Sequence, residues 1–176
     1  MTERLWAGWR MAYIRDASES EGSGCLFCHL AGRGASRESL VLETYEHGLT
    51  VLNAFPYTSG HLMVAPYAHT TSLAPSGEGA AAEILAAVER ARRALESEYR
   101  PHGFNIGVNL GQAGGAGIPD HVHWHVVPRW SGDTNFMSAA ADTRVIPEAL
   151  SDTYDRMARA LASLPAEGVR IRERGS

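Results

Sequence analysis

The chain has 176 residues, which is enough for one domain with a buried core and too few for two domains of ordinary size. With 44% hydrophobic and 20% charged residues, the chain has the composition of a globular protein. It contains no run of about 18 apolar residues of the kind that predicts a membrane span. Its formal net charge of −4 argues against a partner such as nucleic acid, whose binding proteins usually carry a basic face. We therefore expect a single domain that neither binds nucleic acid nor spans a membrane. Because the first residues show no signal-peptide pattern, we expect a cytoplasmic location.

Residues 1–24 form an N-terminal segment with two parts. Residues 1–15 carry several large apolar side chains, including Trp6 and Trp9, and are predicted to pack on the body of the domain. Residues 16–24 are small and polar, which is typical of a loop. This loop leads to Cys25 and Cys28, a spacing that suggests a redox pair or half of a metal site rather than a structural disulfide.

The middle of the chain predicts strands followed by a long helix. Residues 76–100 are rich in Ala, Glu, Arg and Leu, with apolar residues at helical spacing, and predict the helix. Alternating or β-branched apolar runs bounded by turn residues predict four strands. These strands are placed at residues 40–44, 47–52, 61–65 and 104–110.

Residues 111–119 form a loop that contains four glycines. Such a backbone can approach an anion closely and point its N–H groups at it, but it can also be a plain connection between two strands. The residues leave both interpretations open. Residues 131–165 are predicted to contain a C-terminal helix that starts near Pro147, and residues 166–176 a frayed tail.

Between the glycine loop and this last region lies a strand with three alternating histidines. In an extended chain, His121, His123 and His125 share one face, while the apolar residues between them share the other. Pro128 cannot donate a ladder hydrogen bond and is expected to end the strand. Three strands, a helix, two strands and a helix, without βαβ alternation, predict an α+β fold with an antiparallel sheet.

Three histidines on one face allow two kinds of chemistry. They can bind a metal ion, because neutral imidazole is a common zinc ligand. Alternatively, one imidazole can attack phosphorus while its neighbours bind the phosphoryl oxygens. A third possibility is that they are exposed sheet residues without a chemical role. The spacing alone does not choose between the two chemistries.

The stretch from His121 to Val127 resembles the signature of the histidine-triad (HIT) superfamily, in which three histidines alternate with apolar residues and two apolar residues follow. The resemblance extends to Asn53 with the Gly60-His61 pair and to Asn109 with the glycine loop, and it covers residues 25–130. It implies a single HIT domain over residues 1–176 with its core at 25–130. The implied HIT-like fold is α+β, with an antiparallel sheet of about five strands, a long central helix and a C-terminal helix. The resemblance also implies a homodimer.

A finer resemblance concerns three shorter segments. Residues 5–14, 101–105 and 128–136 resemble the bacterial branch of the family that is related to diadenosine tetraphosphate phosphorylase. This implies an AMP-containing dinucleoside polyphosphate as substrate, with phosphate as the expected acceptor.

The resemblance also implies roles for individual residues. His123 would be the nucleophile that forms a nucleotidyl-imidazole, and the backbone carbonyl of His121 would fix its tautomer. His125 and His61 would face the phosphate oxygens, and no cofactor is required for this chemistry. The implied substrate-binding residues are Asn53, Asn109, Gly111, Gly117, His61 and His125.

Three of these residues can also be explained by a purely structural role. His61 can be a turn residue after Gly60, Asn53 can start the turn at Phe55, and Asn109 can be an ordinary strand end.

The resemblance gives the cysteine pair two histidine partners. Cys25, Cys28, His69 and His121 would form a closed tetrahedral zinc site, which is structural because no position remains for water. The alternative is a pair of reduced, partly buried thiols. His29, His47 and His102 match no role.

The expected function is that of a nucleotidyl hydrolase or transferase that cleaves nucleoside phosphate anhydrides through a nucleotidyl-histidine. A hydrolase of nucleoside phosphoramidates or other mononucleotide conjugates is one alternative, and a catalytically weak nucleotide-binding regulatory module is another. A thiol-disulfide oxidoreductase is disfavoured because no βαβ unit surrounds the cysteine pair.

Overall fold

The structure is a computed structural model that describes residues 24–133 and 148–172. The expected packing of residues 1–15 lies outside these ranges. In chain order the described elements are helix α1 (Leu26–Ala31), strands β1 (Val41–Thr44), β2 (Gly48–Leu52) and β3 (Leu62–Pro66), helix α2 (Ala80–Tyr99), strand β4 (Gly103–Val108), a 3-10 turn (Gln112–Gly114), strand β5 (Trp124–Arg129) and helix α3 (Leu150–Ala162).

The strands form one five-stranded sheet in the order β1-β2-β3-β5-β4, and every neighbouring pair is antiparallel. Strand β5 is inserted between β3 and β4, so that His125 pairs with Met63 on one side and with Gly107 on the other. The predicted α+β fold with an antiparallel sheet of about five strands, a long central helix and a C-terminal helix is confirmed.

The two faces of the sheet are covered by different helices. On one face, Leu62, Val64 and Trp124 pack in the main core cluster with α2 and α3. On the other face, Met63 packs with Phe27 of the short helix α1. Because successive strand residues point to opposite faces, the histidines that alternate with the apolar residues of β5 lie on the α1 side.

The end of β5 differs from the sequence expectation, because Pro128 lies inside the strand opposite Phe104. Pairing with β3 stops at Val126, and beyond it the carbonyl of Pro128 accepts a hydrogen bond from Thr58 Oγ1 at 2.9 Å. The missing N–H points to this same side of the strand, where no ladder partner needs it.

A buried ion pair joins the sheet to both long helices. Arg90 of α2 is 4% exposed, and its Nε and Nη2 donate to the carboxylate of Glu43 in β1 at 2.8 and 2.9 Å. The same guanidinium donates to the carbonyls of Leu161, Leu164 and Pro165 at the end of α3. These bonds join the end of α3 and the residues after it to α2.

The last described residues are attached to the sheet. Ile171 forms an isolated bridge with Tyr45, and Arg172 N donates to Thr44 O at 2.8 Å. For these residues the expectation of a frayed tail does not hold. None of the helices within residues 24–133 and 148–172 is both long enough and apolar enough to cross a membrane.

Candidate active site and metal centre

His123 has the geometry of a neutral imidazole with one available ring nitrogen. Its Nδ1 lies 2.8 Å from the backbone carbonyl of His121, and because a carbonyl only accepts, Nδ1 carries the proton. The second nitrogen, Nε2, is then left with its lone pair. The ring is 4% exposed, and burial lowers the pKa of His123 below its ordinary value. The neutral form therefore dominates near pH 7.

Two further histidines lie beside this ring. His125 is 4.9 Å from His123 between ring centroids, and its Nδ1 is 2.9 Å from Nε2 of His61. His61 is completely buried. The Nδ1 of His61 faces two donors at 3.2 Å, the backbone N–H of Tyr57 and the side-chain amide of Asn53.

The sheet register explains how residues 64 positions apart meet. His61 immediately precedes β3, and His125 pairs with Met63, so both histidines point to the α1 face. Gly60 makes the preceding turn with a φ of 80°, a backbone conformation that residues with a side chain rarely adopt. A Cβ at this position would also lie 2.8 Å from Leu95 Cδ2.

The rings of His123 and His125 form part of the wall of a cavity of about 610 Å³. An apolar wall with a few convergent polar groups is typical of a small-molecule site. Helix α1, strand β2 and the turn after it supply most of the apolar wall, which includes Leu26, Phe27, Leu30, Val51, Phe55 and Ile118.

The predicted substrate-binding residues divide into two groups. Asn53, Gly117 and His125 line the cavity together with His123, whereas Asn109, Gly111 and the fully buried His61 are not part of its wall. Asn109 Nδ2 donates to the carbonyl of Gly115 at 3.3 Å and so holds the glycine loop in place. Gly111 precedes the 3-10 turn with φ of 68°.

Asn53 combines a turn contact with its place in the cavity wall. Its Oδ1 accepts the backbone N–H of Phe55 at 2.9 Å, which is the local turn contact expected of an asparagine before a turn.

Cys25, Cys28, His69 and His121 form a candidate metal site. Their four ligand atoms all lie within 4.8 Å of one another. Nδ1 of His121 is 3.2 Å from Cys25 Sγ and 3.6 Å from Cys28 Sγ, and Nδ1 of His69 is 3.3 Å from Cys28 Sγ. Three separate parts of the chain converge here: helix α1, the loop after β3 and the residues before β5.

The chemistry of this cluster fits a metal ion. Nε2 of His121 donates to the carbonyl of Pro66 at 2.8 Å, which leaves Nδ1 with its lone pair toward the sulfurs. The pKa of the Cys28 thiol is raised, first by burial and then by the neighbouring Cys25. A divalent cation stabilises two adjacent thiolates, and four such ligands close the coordination shell.

The candidate metal site is linked directly to His123. The ring of His121 belongs to the cysteine cluster, while its carbonyl accepts the proton of His123. The ring of Phe27, between the two cysteines in sequence, packs against both imidazoles with centroid distances of 5.2 Å to His121 and 4.8 Å to His123. Helix α1 therefore contributes both to the cavity wall and to the packing around His123.

Sequence reasoning missed three residues at this site. Phe27 and Tyr57 contact the histidine rings, and His29, which matched no role, lines the cavity. The only available signals were the position of Phe27 inside the cysteine pair and the aromatic side chain of Tyr57 in the turn before His61.

A family model for the HIT domain matches residues 35–132 of this chain. The match covers more than half of the chain and includes the three alternating histidines, strands β1 to β5 and helix α2. The protein therefore belongs to the HIT family. The family resemblance seen in the residues is confirmed.

Individual relatives support this membership. The chain is 37% identical over 169 residues to "AP-4-A phosphorylase" of Mycobacterium tuberculosis, an alignment that covers 93% of this chain and 86% of the relative. Enzymatic processing of nucleotides is the activity that the family and this relative support.

Solved structures give the same fold. A Zn-bound histidine triad family protein from Mycobacterium smegmatis is 29% identical with a TM-score of 0.62, and the alignment covers 79% of this chain and 94% of that one. A hypothetical histidine triad nucleotide-binding protein from Sulfolobus tokodaii has a TM-score of 0.64 at 21% identity and covers 81% of this chain and 95% of its own length, which supports the fold alone.

Proposed function

We propose that the protein cleaves nucleoside phosphate anhydrides through a covalent nucleotidyl-His123 intermediate, and that its substrates are AMP-containing dinucleoside polyphosphates. The observation that carries the proposal is the buried ring of His123 in the wall of an apolar cavity, whose Nδ1 donates to the carbonyl of His121 and whose Nε2 is therefore unprotonated. Phosphorolysis of diadenosine tetraphosphate is the specific activity we infer, supported by the 37% identity to the M. tuberculosis phosphorylase.

The reaction takes place in two displacements. Nε2 of His123 attacks the α-phosphorus, a P–N bond forms, and the anhydride P–O bond breaks to release ATP. An oxygen of inorganic phosphate then attacks the same phosphorus, the P–N bond breaks, and ADP leaves with His123 restored. Splitting one displacement into two in this way is the advantage of nucleophilic catalysis.

Neighbouring residues stabilise the charge that develops on the phosphoryl group. His125 faces its oxygens, His61 acts through its hydrogen bond to His125, and the backbone of the loop at Gly117 approaches the same group. Each well-aimed donor is worth about 3 kcal/mol in the transition state. Asn53 binds the ribose from the cavity wall, while Asn109 and Gly111 act by shaping the glycine loop.

We further propose that Cys25, Cys28, His69 and His121 hold a structural zinc ion. The ligand set and the short distances between the ligand atoms support this, as does the Zn-bound relative from M. smegmatis. Zinc at this position would tie α1 to the residues before β5. The two free cysteines fit a reducing compartment such as the cytoplasm.

A homodimer is the assembly we propose. Strand β4 is the last strand of the sheet in the order β1-β2-β3-β5-β4, and Ile106 on it is 44% exposed. Leu110, just after β4, is 48% exposed. An edge strand with exposed apolar side chains is suited to pairing with a second copy. Light scattering of the purified chain tests this, and a monomer at all concentrations rules it out.

The substrate assignment is tested by a panel read by mass spectrometry with and without inorganic phosphate. The panel contains diadenosine polyphosphates, nucleoside phosphoramidates and mononucleotide conjugates. Phosphate-dependent formation of ADP together with ATP from diadenosine tetraphosphate supports phosphorolysis. Phosphate-independent products indicate hydrolysis, and preferred turnover of phosphoramidates assigns the chain to that class instead. Tight AMP binding without turnover of any compound would indicate a regulatory module.

The covalent step is tested by rapid quenching during turnover. The expected result is a peptide containing His123 that carries one adenylyl group. If no nucleotide is trapped on this ring while products accumulate, the mechanism is wrong.

A further inference from the structure

The turn at residues 53–57 places two hydrogen-bond donors on one nitrogen of His61. The backbone N–H of Tyr57 and the amide nitrogen of Asn53 both lie 3.2 Å from Nδ1 of His61. A backbone N–H can only donate, so Nδ1 of His61 is an acceptor without a proton. The proton of the His61 ring is therefore on Nε2.

The orientation of the Asn53 amide supports this assignment. The oxygen and nitrogen of an amide side chain are distinguished by their partners. Here Oδ1 of Asn53 accepts the backbone N–H of Phe55 at 2.9 Å. The amide NH₂ group is then the end that faces His61, and both partners of Nδ1 are donors.

The tautomer of His61 determines that of His125. Nε2 of His61 lies 2.9 Å from Nδ1 of His125, and since Nε2 carries the proton, Nδ1 of His125 accepts it. The proton of His125 is then on its own Nε2. His125 belongs to the cavity wall beside His123 and can offer an N–H to an anionic oxygen there.

The side chain of Tyr57 packs against the same two rings. Its ring centroid is 4.5 Å from that of His61 and 6.1 Å from that of His125, where the rings are stacked at 25°. Tyr57 also lines the cavity. One residue therefore donates to the start of this hydrogen-bond chain and limits the tilt of both imidazoles in it.

We propose that Tyr57 is a positioning residue for the reaction, which through its main-chain N–H and its ring holds His61 and His125 so that the Nε2–H of His125 points at the phosphoryl group. This rests on the proposed function, because the role of the donated N–H is to stabilise charge at phosphorus. The donor is aligned before substrate binds, which is the condition under which such a contact is most effective.

The tautomers are measured directly in the protein without substrate. Two-bond ¹H–¹⁵N correlation spectra of uniformly ¹⁵N-labelled protein distinguish protonated from unprotonated ring nitrogens. The expected pattern is a proton on Nε2 of His61 and of His125, and on Nδ1 of His123. A proton on Nδ1 of His61 or of His125 overturns the inference.

The role of the side chain is tested with Tyr57→Ala and Tyr57→Phe. In Tyr57→Ala, kcat is expected to fall 10- to 100-fold with KM changed less than about threefold, since the donor acts on the transition state rather than on substrate binding. The tautomers of His61 and His125 should stay as in the wild type, because the main-chain N–H at position 57 and the Asn53 amide remain in this variant. Tyr57→Phe should retain kcat within about twofold, because it keeps the ring that packs against His61 and His125 and the main-chain N–H that donates to His61.

Phe55→Ala is the matched comparison, since Phe55 belongs to the same turn and lines the cavity but is not a donor to His61. It is expected to raise KM more than it lowers kcat. Wild-type kcat in Tyr57→Ala would overturn the inference, and so would a loss of kcat in Phe55→Ala equal to that in Tyr57→Ala.

The spectra separate this inference from the proposed function. Unexpected tautomers in a chain that cleaves anhydrides overturn the inference alone. Expected tautomers in a chain that cleaves no substrate of the panel overturn the proposed function, and with it the catalytic role of Tyr57.

Discussion

His121 accepts the Nδ1 proton of His123 through its backbone carbonyl at 2.8 Å, while its own Nδ1 lies 3.2 Å from the sulfur of Cys25. The orientation of the proposed nucleophile therefore depends on the residue that joins it to the cysteine cluster. A change in the cysteine cluster is expected to reach His123 by two routes, the backbone carbonyl of His121 and the ring of Phe27.

The first prediction concerns the metal. Protein purified without added metal should contain about one zinc ion per chain, and Cys28→Ser should abolish binding. Since metal binding to a structural site contributes folding free energy, loss of at least about 3 kcal/mol is expected. For a chain of this size this lowers Tm by roughly 6–12 °C, measured by calorimetry.

The matched control for this variant is His29→Ala. His29 lies next to Cys28 in the same helix but outside the ligand cluster, so this variant should keep its zinc. A folded, metal-free preparation whose Tm is unchanged by Cys28→Ser would contradict the zinc assignment.

The second prediction concerns the ion pair of Arg90 and Glu43. Arg90→Met leaves the Glu43 carboxylate, whose side chain is 11% exposed, without its charged partner, and it also removes the donors to the end of α3. Breaking a buried pair by removing one partner costs about 3–5 kcal/mol. Urea denaturation should show this loss. The activity of the fraction that remains folded should be unchanged, because the pair lies on the side of the sheet opposite to α1.

Arg92 provides the control on the same helix. It pairs with Glu89 and Glu96 at the surface, where their side chains are 55% and 59% exposed. Exposed pairs contribute about 0–1 kcal/mol, so Arg92→Ala should be nearly neutral. Equal losses for Arg90→Met and Arg92→Ala would show that burial of the Arg90 pair is not what makes it important.

The third prediction concerns the packing of Gly48 under α2. A Cβ at this position in β2 would lie 2.5 Å from both the carbonyl oxygen of Ala65 and Cδ1 of Ile84. The carbonyl belongs to the paired strand β3 and cannot move away without breaking the ladder. Gly48→Ala is therefore expected to cost about 2–3 kcal/mol in the free energy of unfolding.

Gly103→Ala is the corresponding variant at an open position. No atom lies within 4 Å of a Cβ built on Gly103 in β4. Its effect should stay within about 0.5 kcal/mol, as for other unobstructed surface changes. Thermal unfolding measured on both variants compares their free energies of unfolding. If Gly48→Ala is neutral, β2 and α2 can move apart without a loss of stability, which contradicts the prediction.

The periodicity of the sequence was sufficient for the faces of β5 but not for its ends. Alternation alone predicted that Trp124 and Val126 face the core and that His125 faces the other way, as they do. The strand was expected to begin at His121, yet it begins at Trp124, because β3 and β4 both have their last pairing partner there. Where partner strands stop is a tertiary property that no local pattern contains.

The parts of the site that come from distant segments were the least predictable. His69 lies in the loop after β3 and was placed near the cysteines only by family resemblance. In the structure Val122 N donates to Thr70 O at 2.7 Å and draws this loop toward the residues before β5. The bridge of Ile171 to Tyr45 likewise joins segments that no periodic signal connects. Tyr57 was missed because its contacts depend on how the turn folds over His61.

The last prediction concerns His123 itself. His123→Gly removes the attacking nitrogen but leaves the apolar wall of the cavity, so turnover should fall at least about 1,000-fold, as expected when the nucleophile of a covalent mechanism is lost. AMP binding measured by calorimetry should stay within about threefold of the wild type. His102→Ala serves as the control, because His102 is an exposed ring that bonds Ser131 at the far end of β5. It should leave turnover unchanged. Turnover retained in His123→Gly would rule out the covalent mechanism, whereas loss of AMP binding together with turnover would mean that the His123 ring is needed to build the cavity as well as to attack phosphorus.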